Sequence, residues 1–162
     1  MFAVLRDVKY YTTKLHTTMD EDLCLKFDEV ERILFENKPL QVPETAIQRV
    51  SKSYDFLKGF CSDKVIYGIN TGFGPMAQWH VEDQHLKDLQ YNIIRSHSTG
   101  AGEPLGDVEV KGAMLARLGS ILQGKSGVHP EVPKLLVEFI NRSIIPFIPQ
   151  HGSVGASGDL VQ

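Results

Sequence analysis

Gly152-Ser153-Val154-Gly155-Ala156-Ser157-Gly158-Asp159-Leu160 sets an Ala-Ser-Gly tripeptide among glycines. Glycine at position 158 leaves its backbone nitrogen unhindered, so the chain can fold back far enough for that nitrogen to approach the Ala156 carbonyl. Ser157 between them carries a β-hydroxyl that can leave as water. Ring closure followed by dehydration gives a five-membered imidazolone with an exocyclic methylene, an electron-poor carbon that no ordinary side chain offers. Asp159 suits an N-cap, and Leu160-Val161 read as the start of a buried helix. The sequence is therefore expected to be part of a longer polypeptide.

Working outward, 162 residues suffice for one domain with a sizeable core. The 42% hydrophobic and 23% charged residues, with net charge −3, place the chain among ordinary globular proteins. No basic run stands out, which argues against nucleic acid. No apolar run approaches the roughly 18 residues of a membrane span. Met1-Phe2-Ala3-Val4-Leu5-Arg6-Asp7 lacks the pattern of a secretory leader. Cys24 and Cys61 read as reduced small hydrophobes. A soluble, cytoplasmic protein is expected.

Residues 1–25, with Tyr10-Tyr11-Thr12-Thr13, read as an N-terminal arm ahead of a single domain over 26–162. Phe27, Val30, Ile33 and Leu34 share a helical face that Pro39 ends. A second helix is expected from Pro43 through Ile47, Val50, Tyr54 and Leu57 to Gly59. The β-branched run Val65-Ile66-Tyr67 leads into a loop, Gly68-Ile69-Asn70-Thr71-Gly72-Phe73-Gly74-Pro75. Next come a helix over Glu82–Arg95 with Leu86, Leu89, Ile93 and Ile94 inward, and a glycine-rich loop over Gly100–Gly106. Further helices follow over Asp107–Leu122, carrying Val110, Met114 and Leu118, and over Glu131–Arg142, burying Val132, Leu135, Leu136 and Phe139. Ile144–Pro149, apolar but broken by two prolines, is expected to be extended. The fold class is mainly α with a few short strands.

Some motifs match by letters and fail on mechanism. Gly119-Ser120-Ile121-Leu122-Gln123-Gly124-Lys125-Ser126 fits a phosphate-binding loop, which must leave a strand and open a helix. Here the first glycine continues a helical pattern and the end runs into Gly127-Val128-His129-Pro130, so no nucleotide is expected. His151-Gly152-Ser153-Val154-Gly155 falls one residue short of a hydrolase elbow. The six histidines contain no H-x-x-x-H pair, so no metal is expected. Asn141-Arg142-Ser143 is a glycosylation sequon only in a secreted protein.

Three irregular segments remain: the loop after Tyr67, the segment around His97, and the Ala-Ser-Gly stretch. Together Tyr67-Gly68-Ile69-Asn70-Thr71-Gly72-Phe73-Gly74, Arg95-Ser96-His97-Ser98-Thr99-Gly100-Ala101-Gly102-Glu103-Pro104-Leu105, Ser126-Gly127-Val128-His129-Pro130 and Gly152–Leu160 resemble the aromatic amino-acid ammonia-lyases, which include histidine, phenylalanine and tyrosine ammonia-lyases and related aminomutases. The segments come in family order from roughly Phe27 onward.

The resemblance implies the N-terminal, cofactor-bearing part of the fumarase/aspartase-like helical fold of these lyases, ahead of its central bundle. Ala156, Ser157 and Gly158 match the tripeptide that cyclises to 4-methylideneimidazole-5-one, with the Ser157 side chain as its methylidene carbon. Tyr67 matches the base that takes the substrate β-proton, its loop acting as a lid. His97 matches the position that reads the far end of the substrate side chain, and Gly74 belongs to the substrate-binding loop. The implied reaction is non-oxidative loss of ammonia from an aromatic L-amino acid, with L-histidine to urocanate first. L-tyrosine to p-coumarate and an aminomutase are the alternatives. The Gly152–Leu160 stretch is similar to the histidine-lyase version. Thr71–Gln78 and Leu160-Val161-Gln162 look like bacterial tyrosine-lyase relatives, with Gln162 standing where most members have proline. Active sites shared within a homotetramer are implied, as are an amino-acid substrate and no nucleic-acid or membrane partner. The competing class is a catalytically inactive structural or oligomerisation piece.

Overall fold

Helical spacing of apolar residues dictates most of the architecture. The computed structural model describes residues 26–61, 64–152 and 161. The 1–25 arm and Ala156-Ser157-Gly158 lie outside the described residues. The elements are α1 (Phe27–Phe35), α2 (Glu44–Phe60), 3-10 turns at Gly74–Met76 and Asp83–His85, α3 (Leu86–His97), β1 (Ala101–Pro104), α4 (Asp107–Leu122), α5 (Glu131–Asn141) and β2 (Pro149–His151). The fold is mainly α, as expected. Among the described residues no helix is long and apolar enough to cross a membrane. The chain forms two units, Met1–Tyr54 with Asp107–Ile145 and Asp55–Gly106 with Pro146–Gln162.

In the first unit α4 packs on α1 and α5. Ile33 of α1, Ala46, Ile47 and Val50 of α2, Val110, Met114, Leu115, Leu118, Ile121 and Leu122 of α4, and Ile140 of α5 are buried, as is Leu40. Connections are tied by side chains. The Leu40 N–H donates to Asn141 Oδ1 at 2.7 Å, and Asn141 Nδ2 returns a bond to the Leu40 carbonyl at 3.0 Å. Lys111, 6% exposed, donates from Nζ to Asn37 Oδ1 at 3.1 Å. Asn37, at φ 53°, turns the chain after α1 in the left-handed region that asparagine tolerates. The turn after α4 docks on α2 in two places: Gly127 N–H donates to Ser53 Oγ at 3.1 Å, and the His129 ring meets Tyr54 edge-on at 4.8 Å.

The second unit is built differently. A loop over 64–81 precedes α3, and β1 pairs antiparallel with β2, joining Ala101 to His151 and Pro104 to Pro149. Among its described residues the buried ones are Asn70, Thr71, Gly72 and Pro149.

Several expectations need correction. The helix expected to run to Pro39 ends at Phe35. The one expected from Pro43 starts at Glu44 and continues past Gly59 to Phe60. The helix expected over Glu82–Arg95 opens with a 3-10 turn and runs on to His97, so His97 is helical rather than in an irregular segment. Ile94 is 63% exposed, because the inward stripe of α3 is Leu86, Leu89, Ile93 and His97. In α5, which stops at Asn141, the buried face runs through Pro133 and Ile140, leaving Val132 and Leu135 outside. The Gly100–Gly106 segment, expected to be a loop, holds strand β1.

Candidate active site

The loop carrying Tyr67 is fixed by its own polar groups. Asn70, 7% exposed, accepts the Ile66 N–H on Oδ1 at 2.7 Å and donates from Nδ2 to the Lys64 carbonyl at 2.7 Å. Thr71, 1% exposed, donates from Oγ1 to the Gly72 carbonyl at 2.8 Å and accepts the Gly68 N–H at 3.3 Å. An antiparallel bridge between Thr71 and His80 closes the loop, with Gly72 N–H on the Trp79 carbonyl and Val81 N–H on the Asn70 carbonyl. Gly72 is required for closeness: a Cβ there would lie 2.7 Å from both Cβ and the carbonyl oxygen of Met76. This internal bonding leaves the Tyr67 ring 62% exposed. It meets Phe73 edge-on at 5.7 Å, and its hydroxyl accepts the Gly74 N–H at 3.4 Å. Two residues expected at the site, Tyr67 and Gly74, are thereby brought together. Gly74 adopts φ 55°, a conformation other residues rarely take, and faces open space.

His97 ends α3 on the same face as Leu86, Leu89 and Ile93, half-buried. Its Nδ1 lies 2.8 Å from the Ile93 carbonyl oxygen and 2.9 Å from Ser96 Oγ, while Ser96 Oγ donates to the same carbonyl at 3.0 Å. Ser98 Oγ bonds back to the Ile94 carbonyl. Side chains of the last turn thus serve carbonyls that a helix end leaves short of donors. Among the described residues no hydrogen bond or ring contact joins His97 directly to Tyr67.

Directly after α3 the chain meets the flanks of the tripeptide. Gly100 abuts Pro149, with a notional Cβ 2.2 Å from Pro149 Cγ and 3.4 Å from Val161 Cγ2. Gly102, at φ 85°, leaves no room for a Cβ, which would fall 2.9 Å from His151 Cδ2. Ala101 pairs with His151, and Leu105 N–H donates to the Ile148 carbonyl at 2.8 Å. Both described ends of the stretch containing Ala156, Ser157 and Gly158 therefore rest on Gly100-Ala101, three to four residues beyond His97. Any side chain at Gly100 or Gly102 would push that strand away.

Sequence reasoning named Tyr67, Gly74 and His97 but missed Asn70, Thr71, Gly100 and Gly102. An asparagine and a threonine inside a glycine-rich loop are turn formers that bond to nearby backbone, and that was the available signal. The two rejected motifs also have structural contexts. Gly119 lies inside α4, so the stretch to Ser126 follows a helix instead of leaving a strand. His151 ends β2, and Ser153 onward lies outside the described residues. Among the described residues no three His, Cys, Asp or Glu side chains are grouped as metal ligands would be.

The family model for aromatic amino acid lyase matches residues 25–162. A histidine ammonia-lyase from Bacillus cereus is 40% identical over 137 residues, covering 84% of this chain and 27% of its own length. A tyrosine 2,3-aminomutase from Chondromyces crocatus is 42% identical over 137 residues, covering 84% of this chain and 26% of its own. The solved structure of a tyrosine aminomutase from Streptomyces globisporus superimposes with a TM-score of 0.76 at 32% identity, over 82% of this chain and 26% of that one. The chain thus spans about a quarter of the length of the curated relatives it matches. By sequence and by fold, the chain belongs to the aromatic amino acid lyase family.

Proposed function

We propose that this chain is the electrophile-bearing part of an enzyme that eliminates ammonia non-oxidatively from an aromatic L-amino acid, with L-histidine to urocanate as the first choice. The observation that carries the reading is the convergence on Gly100-Ala101, where the segment leaving His97 meets both flanks of Ala156-Ser157-Gly158. Four peptide units separate Ser157 from Val161, so about 14 Å is the longest span between their Cα atoms. An eleven-residue stretch from His151 to Val161, both of whose ends meet Gly100-Ala101, suits the sharp backbone turn that cyclisation of Ala156-Ser157-Gly158 requires.

The 4-methylideneimidazole-5-one formed from that tripeptide supplies an electrophilic carbon that eases departure of the amine. Tyr67 takes the β-proton on its phenolic oxygen, which the Gly74 N–H holds at the end of the loop. The exposed, self-bonded loop around Tyr67 closes over substrate and excludes water. His97 receives the polar end of the substrate side chain through its imidazole. The enzyme is read as a cytoplasmic homotetramer with sites shared between subunits, needing neither metal nor nucleotide.

Tyrosine, or an aminomutase reaction that returns ammonia to the neighbouring carbon, is the second reading, favoured by the aminomutase at 42% identity. The test uses the full-length polypeptide. Its intact mass should fall two waters below the encoded mass, and Ser157→Ala should restore one-to-one agreement while abolishing ammonia release. An unmodified wild-type mass would sink the proposal. Separate incubation with histidine, tyrosine and phenylalanine, read as urocanate, coumarate or cinnamate absorbance, assigns the substrate. A β-amino acid product assigns the mutase instead.

A further inference from the structure

We infer that Ser96 is a positioning residue that, with the Ile93 carbonyl, holds neutral His97 in its Nδ1–H tautomer. This deepens the reading of His97 above and rests on it only for its consequence in substrate choice. A carbonyl oxygen cannot donate, so the 2.8 Å contact between His97 Nδ1 and the Ile93 oxygen needs the proton on Nδ1. The Ser96 hydroxyl agrees with this assignment. It gives its own proton to the Ile93 oxygen at 3.0 Å, which leaves its lone pair to receive from Nδ1 at 2.9 Å. One N–H thus meets two acceptors, and all three contacts are satisfied together. With Nδ1 bare, the ring nitrogen and the carbonyl would face each other as two lone pairs.

The consequence lies at the other nitrogen. Free neutral imidazole side chains favour the proton on Nε2; here Nε2 is left as an acceptor. Such an atom takes a hydrogen bond from a substrate terminus that donates, a phenol O–H or an imidazole N–H, and gives a plain phenyl ring nothing. Ser96 and Ile93 are each within one helical turn of His97, so the preference is set by α3 alone and exists before substrate binds.

Two readouts test this on the full chain. With imidazole-15N-labelled protein, NMR of the neutral His97 ring should show a protonated Nδ1 and a bare Nε2, identified by comparison with His97→Gln. A protonated Nε2 would overturn the inference. Ser96→Ala should raise KM for the amino acid that is turned over by about fivefold, the worth of one hydrogen bond, with kcat within about twofold. Ser96→Thr, which keeps a hydroxyl, should bring KM back. An unchanged KM in Ser96→Ala, or equal losses in Ala and Thr variants, removes Ser96 from the role. If wild-type protein releases no ammonia from any aromatic amino acid, the lyase reading fails, and the NMR pattern still decides the tautomer.

Discussion

The two units of this chain solve the problem of holding a shape in opposite ways. The first buries aliphatic side chains from α1, α2, α4 and α5 against one another, with Leu118 fully enclosed. The second buries Asn70, Thr71, Gly72 and Pro149, while several of its larger apolar groups, Tyr67, Met76, Trp79, Ile94 and Phe147 among them, lie more than half exposed. Its form comes from side chain-to-backbone hydrogen bonds and from glycines that admit close approach. A core holds its shape by removing side chains from water. A loop bonded to itself holds its shape while leaving side chains outside, where they can reach a substrate. Tyr67 stands on the second kind of scaffold, and such elements come from the less stable end of a structure.

The largest expected effect tests that division. Leu118→Ala leaves a cavity in the first unit and should cost about 3–5 kcal/mol, measured by far-UV circular dichroism during denaturation. Trp79 is the sole tryptophan and belongs to the second unit, so its fluorescence follows that unit separately. The first unit holds α1, α4, α5 and most of α2, and α3 adds a smaller part of the helical signal. The Trp79 transition should fall at lower denaturant than the bulk of that signal and stay in place in Leu118→Ala. Coincident transitions that move together would break the comparison, because the two units would then unfold as one.

Next in size is the loop itself. Asn70→Ala strips the Ile66 N–H of this acceptor and the Lys64 carbonyl of this donor, around a side chain that is itself buried. A loss of about 2 kcal/mol is expected, seen in the Trp79 transition with the helical transition unmoved. Asn70→Asp, which keeps the acceptor and loses the donor, should fall between. If both variants match wild type, hydrogen bonding does not hold the loop and the contrast between the units fails.

How much of this was legible follows from the same contrast. Period-3.6 spacing located the helices, and Asp107–Leu122 matched α4 end to end. Which face turns inward was harder: Val132 and Leu135 look as apolar as Ile140, yet α5 presents Pro133 and Ile140 to the core. Periodicity gives a stripe, while its orientation depends on what packs against it. β1 was invisible because Ala-Gly-Glu-Pro has no β-branched residue; it forms because Gly100 and Gly102 let Pro149 and His151 approach. Tyr67 and His97 were singled out only through the resemblance of whole segments. Asn70 was passed over because a buried asparagine serving its own loop looks, in sequence, like any other turn residue.

The smallest expected effect marks the opposite limit, a pair that carries charge without carrying shape. Lys134 Nζ lies 2.7 Å from Glu131 Oε1 at the start of α5, both well exposed. The hydrogen bond and then the charge of Lys134 lower the Glu131 pKa, and the same pair raises that of Lys134. A carboxylate with a lowered pKa contributes stability that is present above its unfolded pKa and is lost as pH falls through the folded value. The lysine contribution is complete at neutral pH and disappears only as alkaline pH passes its raised pKa. From neutral pH to mildly alkaline pH the pair should therefore be flat, with its loss beginning on the acid side. Full exposure screens the interaction, so Glu131→Gln should leave the helical transition at pH 7 nearly where it was and remove only a slight part of its acid sensitivity. A large shift in that titration would mean that the first unit, like the second, relies on polar contacts for its shape.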